Sequence, residues 1–159
     1  MDIISNAAKI VLEKAGWYEG RAISTEKNIS LLKNSGYPIF DTLKEFLEEF
    51  GDLDLNFDNV FGVNIFISFD IEWSLLNAWF YEKDLIVEDY PKAIGCDKLA
   101  LIGRENTQTC LAITENGIIY TLYDGYILEA GKGREAVNNL ITKSYKDLKQ
   151  IPIPDWWGE

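Results

Sequence analysis

The sequence predicts an α+β domain with N-terminal helices, a mostly antiparallel sheet in a C-terminal meander, and a closing C-terminal helix. Three observations predict it. Apolar residues recur at helical spacing through the first fifty positions. From Leu53 the pattern changes to period two, the signature of a half-buried strand. Beyond residue 98, short apolar runs are divided by Asn116-Gly117 and Asp124-Gly125, both favoured hairpin turns. Helices and strands in blocks argue against a parallel βαβ sheet. At 159 residues the chain fits one domain, 1–159, by the prior of about 150 residues each.

The first helix carries Ile3, Ile4, Ala7, Ala8, Val11, Leu12 and Ala15 on one face, with Asp2 as its cap and Gly16 at its end. A turn follows over Trp17–Arg21. A second helix spans 25–34, capped by Ser24 or Thr25, with Ile29 and Leu32 inward. The third spans 38–50, with Pro38 in its first turn and Phe40, Leu43, Phe46, Leu47 and Phe50 as its stripe. Leu53, Leu55 and Phe57 then alternate with Asp52, Asp54, Asn56 and Asp58, so one strand face is apolar and the other acidic. Val63, Ile65, Ile67 and Phe69 form the next strand. Asp70 caps a helix over 71–83 that turns Ile71, Leu75, Ala78 and Trp79 inward, and a short helix through Pro91 ends near Gly95. Strands are expected at 98–103, 108–114, 117–123 and 126–129, and a last helix at 133–144. The tail, 145–159, is too proline-rich for a helix. Trp156 and Trp157 there clamp the core or anchor an interface.

Composition excludes several functions. The net charge of −11 disfavours nucleic acid and anionic membrane surfaces, because phosphates need Lys and Arg to neutralise them. It favours a basic partner. The chain has no histidine, which removes His-based triads, His-ligated metal and His pH switching. Cys96 and Cys110 form no CxxC motif and read as free thiols. The N-terminus lacks the basic and apolar regions of a signal peptide, and no stretch reaches the roughly 18 apolar residues of a membrane span. The expected location is the cytoplasm.

Two motifs fail on inspection. Gly131-Lys-Gly133-Arg-Glu-Ala136 fits GxGxxA, but a dinucleotide site needs a second parallel strand and a distal acid that the remaining residues cannot supply. Asp52-Leu-Asp54-Leu-Asn56 begins like a calcium loop, yet Phe57 and Val63 stand where that loop needs Gly and Glu. No cofactor or metal is expected. Paired carboxylates such as Glu48-Glu49, Glu88-Asp89 and Asp70 with Glu72 read as a solvated acidic face rather than an acid–base site, which would need a pocket.

The charge is distributed unevenly. Residues 41–89 hold 13 acids and two bases, Lys44 and Lys83, so the whole excess lies there and the rest is neutral. Such concentration points to an interaction face. The candidate partner-binding residues are Glu48, Glu49, Asp52, Asp54, Asp58, Glu72, Asp84, Glu88 and Asp89.

A series of residues carries a family resemblance. Ala15-Gly-Trp-Tyr-Glu-Gly-Arg21, Gly36-Tyr-Pro38, Phe46-Leu47 with Phe50-Gly51, and Phe69-Asp70 stand in order. Tyr90, Ile94-Gly95, Leu99, Ile102-Gly103, Leu111 with Ile113, Glu115-Asn-Gly-Ile-Ile-Tyr120, and Gly131 before Glu135-Ala136 follow. Over about 15–142 the chain resembles the SUKH superfamily, in particular its third bacterial family. The resemblance implies an α+β immunity protein that neutralises a polymorphic or contact-dependent toxin, many of which are nucleases, and it brings no catalytic residues. Its glycines, Gly103 among them, are expected at turns or helix ends, and Arg21 is expected to pair with a buried acid such as Asp70. The alternative is a regulatory adaptor holding host proteins or a small ligand, as in fungal relatives.

Overall fold

The computed structural model describes residues 3–123 and 125–154. The elements run α1 (Asn6–Lys14), α2 (Glu26–Asn34), α3 (Asp41–Phe50), β1 (Asp54–Asp58), β2 (Asn64–Ser68) and α4 (Ile71–Leu76). A helical run follows, made of α5 (Glu82–Asp84), a π-helical turn (Leu85–Asp89) and α6 (Tyr90–Ile94). Then come β3 (Leu99–Glu105), β4 (Thr109–Thr114), β5 (Ile118–Tyr123), β6 (Tyr126–Lys132), α7 (Arg134–Thr142) and β7 (Lys149–Ile151). The expected α+β class is the one found. Among the described residues, seven strands form one antiparallel sheet in chain order, β1 to β7.

Burial along the strands explains the layering. β1 alternates, with Leu55 and Phe57 buried and Asp54, Asn56 and Asp58 exposed, so its outer face meets water. In β3, β4 and β5 burial is almost unbroken, the pattern of strands covered on both faces. Phe46 and Phe50 of α3 pack with Phe69, ring centroids 5.1 to 6.3 Å apart, and fill one side of the core. Asn138 of α7 accepts the Ser5 N–H at 2.8 Å, tying α7 to the start of α1.

Several expected boundaries shift for physical reasons. The expected cap Asp2 lies outside the described residues. Ser5 caps α1, its hydroxyl accepting the Ala8 N–H at 3.2 Å. α3 starts at Asp41 rather than Pro38, because Phe40 is extended and residues 38–40 bridge two helices behind the buried Tyr37. Arg21 does not reach Asp70. It donates to the Glu49 and Gly51 carbonyls at 2.6 and 2.9 Å, which are acceptors left free at the C-terminal end of α3. Asp70 instead caps α4, accepting the Trp73 N–H at 3.0 Å. The tail adds the unexpected strand β7, paired with β6 from Ile127 to Glu129. Trp156, Trp157 and the turn residue Asp124 lie outside the described residues.

The largest departure is in the expected helix 71–83, which breaks after Leu76. Arg104 of β3 is the reason. Its Nη2 donates to the Ser74 carbonyl at 2.6 Å and to Glu82 Oε2 at 2.7 Å. An unbroken helix would set residues 74 and 82 about 12 Å apart along its axis. The chain therefore folds back over residues 77–81, Asn77 donating its side-chain amide to the Trp73 carbonyl at 2.9 Å. Ala78 and Trp79 consequently point to solvent, not inward.

Gly103 sits within β3 at a bulge, not at a turn or helix end. A Cβ there would overlap the Ser68 carbonyl oxygen and lie 2.9 Å from Phe69 Cδ1. Gly103→Ala is expected to cost about 1–3 kcal/mol by overpacking the β2–β3 seam. Urea unfolding measures it, and a cost under about 0.5 kcal/mol would show that the seam yields easily.

Candidate functional site

The acidic strand face begins in β1. Asp54, Asn56 and Asp58 stand opposite Ser68, Phe66 and Asn64 of β2. The Ser68 hydroxyl donates to Asp54 Oδ1 at 2.6 Å, and the Asn64 amide donates to Asn56 and Asp58 at 2.8 and 3.3 Å. Phe66 on the same face meets Trp73 edge-on at 5.5 Å, which joins the hairpin surface to α4. There Glu72 holds Lys27 at 2.7 Å. The Glu72 carboxylate raises the Lys27 pKa, and Asp52 and Asp70 add to it. One lysine thus stands among three acids, so this face keeps a negative excess.

The remaining candidates are placed differently. Asp84 pairs with Lys83 at 2.9 Å, and Glu88, exposed one turn on, adds to the same field. Asp89 is half-buried and Glu48 exposed. Glu49 is already committed, accepting the Trp17 indole N–H at 3.1 Å and lying 3.2 Å from Arg134 Nε. Asp52 is committed in part. Its backbone is left-handed, with φ 66°, and its carboxylate accepts the amide of buried Asn28 at 3.2 Å. Asp52, Asp54, Asp58 and Glu72 are therefore gathered along the hairpin and α4, and Asp84 and Glu88 lie beyond the break in the helix.

Between these acids lies a feature that the spacing argument missed. Leu76, Trp79, Phe80 and Tyr81 project from the α4–α5 loop, Phe80 with 81% of its surface exposed. Phe80 and Tyr81 pack on each other with ring centroids 4.1 Å apart. Beside them is an open cleft of about 390 Å³ lined by Tyr37, Leu75, Trp79, Tyr81, Lys83 and Asp84. One signal in the sequence could have found this loop. Three consecutive aromatics, Trp79-Phe80-Tyr81, cannot share one face of a helix, whose successive side chains turn by about 100°.

The family model of the SUKH-3 immunity protein matches residues 4–143. The chain belongs to that family. No curated protein and no solved structure matches it. The SUKH-3 match runs from the first helix through α7 and takes in every candidate acid, with only β7 and the tail beyond it. For a SUKH-3 immunity protein the expected site is a surface for a partner protein. Among the described residues, no helix is long and apolar enough to cross a membrane.

Proposed function

We propose that this protein is the antitoxin of one cognate toxin, which it binds reversibly and without chemistry through the acidic surface of β1, β2 and α4. The observation that carries the reading is the exposed acidic face of β1, with Asp54 and Asp58, joined through Phe66 and Trp73 to α4, where Lys27 stands among Glu72, Asp52 and Asp70. A nuclease is the toxin class that fits, because a groove for phosphates must be cationic. An acidic face placed on or beside that groove blocks substrate, and charge speeds capture. Fast capture suits immunity, because even a few free toxin molecules are harmful. Asp84, Glu88, Asp89 and Glu48 extend the field, whereas Glu49 serves Trp17 and Arg134.

The test is affinity recovery of the tagged full-length protein from the cells that carry it. One dominant partner with a basic domain is expected, weakened at high salt. The variant Asp58→Lys/Glu72→Lys is expected to slow capture of that partner at least tenfold while keeping the fold, since both side chains are exposed and, unlike Asp54, hold no buried hydroxyl. Asp52 is spared because it supports a left-handed turn. Capture at the wild-type rate would remove these acids from the contact. Recovery of many unrelated host proteins instead would favour a regulatory adaptor.

A further inference from the structure

The loop of residues 76–81 has the properties of a binding anchor. Its four large apolar side chains are solvent-exposed neighbours, where a monomer normally scatters such residues singly. The loop is also held in shape. Both its stems, at Ser74 and Glu82, are bound by the one Arg104 guanidinium. Tyr81 is fixed at φ 69°, a left-handed backbone that aromatic residues rarely adopt. The rings of Phe80 and Tyr81 form a ledge at the edge of the cleft. An ordered aromatic cluster loses little entropy on binding and is the usual composition of an interface hot spot.

The surrounding charge selects the partner. Glu72 lies one helical turn before Leu76, both on the solvent side of α4. Asp84 and Glu88 lie just beyond Tyr81. Residues 70–91 hold six acids and one base, and only Glu82 among those acids is neutralised in the interior, by Arg104. A second copy of the chain, with its own charge of −11, would be repelled, as would an anionic lipid surface. We infer that the 76–81 loop is the anchor for the basic toxin domain. An apolar side chain of the toxin seats against Phe80 and Tyr81, and flanking lysines or arginines pair with Glu72, Asp84 and Glu88. This rests on the immunity reading above and narrows it. The hairpin acids Asp54 and Asp58 steer at the rim, and the loop supplies the affinity.

Photo-cross-linking in the native cells tests the anchor. The photoreactive residue p-benzoylphenylalanine replaces Phe80, or Asn56 on the outer face of β1, or Tyr18 on the turn after α1. The Phe80 position is expected to give the strongest adduct, with a protein bearing a basic domain, and Tyr18 none. The purified variant Leu76→Ser/Phe80→Ser should keep the wild-type urea midpoint, because both side chains are already in water. It should bind that same protein about 30-fold or more weakly, as truncated hot spots do, and equally so at low and high salt. An adduct from Asn56 but not from Phe80, together with unchanged binding by the serine variant, would overturn the anchor and leave the immunity reading standing. An adduct of Phe80 with a second copy or with lipid would overturn the anchor as well. Absence of any basic protein from all three positions would overturn both.

Discussion

Arg104→Met is expected to lower the unfolding free energy by about 3–5 kcal/mol, because it strands the Glu82 carboxylate in the interior without a cation. The pair is fully enclosed, with side-chain exposures of 0% and 1%. Two parallel bonds, 2.8 and 2.7 Å, join the guanidinium to both carboxylate oxygens. The Cys110 thiol donates to the same carboxylate at 3.1 Å. Burial opposes the Arg104 charge and Glu82 overcomes it, leaving the guanidinium pKa above its ordinary value. Yet the network is incompletely satisfied. Arg104 Nε and Ser74 Oγ have no hydrogen-bond partner among the described residues. Replacing both charges, in Arg104→Met/Glu82→Leu, should therefore recover most of the loss. Urea denaturation of the two variants reads this, and a single-variant cost below about 1 kcal/mol would mean that water reaches Glu82. The double variant also separates stability from positioning. It lacks the donor that holds the Ser74 carbonyl, so amide exchange over residues 75–81 should quicken even where global stability returns. Unchanged exchange there would show that packing alone fixes the loop.

That ion pair also explains where the sequence stops being legible. The alternation of β1 is readable because its outer face meets water, and the runs in β3–β5 because both faces are covered. Asn116-Gly117 marks its turn by local chemistry alone. Residues 71–83 carry a good helical pattern, and Asp70 caps the start as expected. What breaks the helix is a guanidinium some 30 positions away in sequence, and no local propensity contains it. The same holds for β7, a three-residue strand that exists only against β6. In the candidate site, concentration of charge picked out Asp54, Asp58 and Glu72, which are exposed in the structure. It could not distinguish them from Glu49, whose carboxylate serves an indole and a guanidinium brought in by folding. The aromatic half was hidden because Leu75, Ala78 and Trp79 fitted an inward stripe as long as the helix was taken to continue.

Alkaline solution should remove much of the protein's stability by pH 11. Burial, then Glu82, raises the Tyr37 and Cys110 pKa values; burial, then Glu105, raises that of Tyr123. Burial, helped by Glu129, pushes the Tyr120 phenol up to about 12. Each group keeps its proton in the folded chain at a pH where the unfolded chain releases it. A raised folded-state pKa leaves stability intact below the unfolded value and removes it as pH climbs toward the folded one. The window opens near pH 8.5 for the cysteine and near pH 10 for the tyrosines. Each retained proton costs about 1.4 kcal/mol per pH unit above its threshold. By pH 11 the thiol and three phenols together remove about 8 kcal/mol, comparable with the whole stability of about 5–15 kcal/mol typical of a domain. Urea midpoints should therefore hold level from pH 7 to 8.5, decline slowly to pH 10 and fall steeply beyond. Tyrosinate absorbance should show part of the eight tyrosines ionising only as the fold is lost. If all eight titrate together near pH 10 with the fold intact, water reaches Tyr37 and the floor of the cleft. The aromatic loop would then stand over a solvated gap rather than a packed interior, and its rings would lose the rigid support on which a hot spot depends.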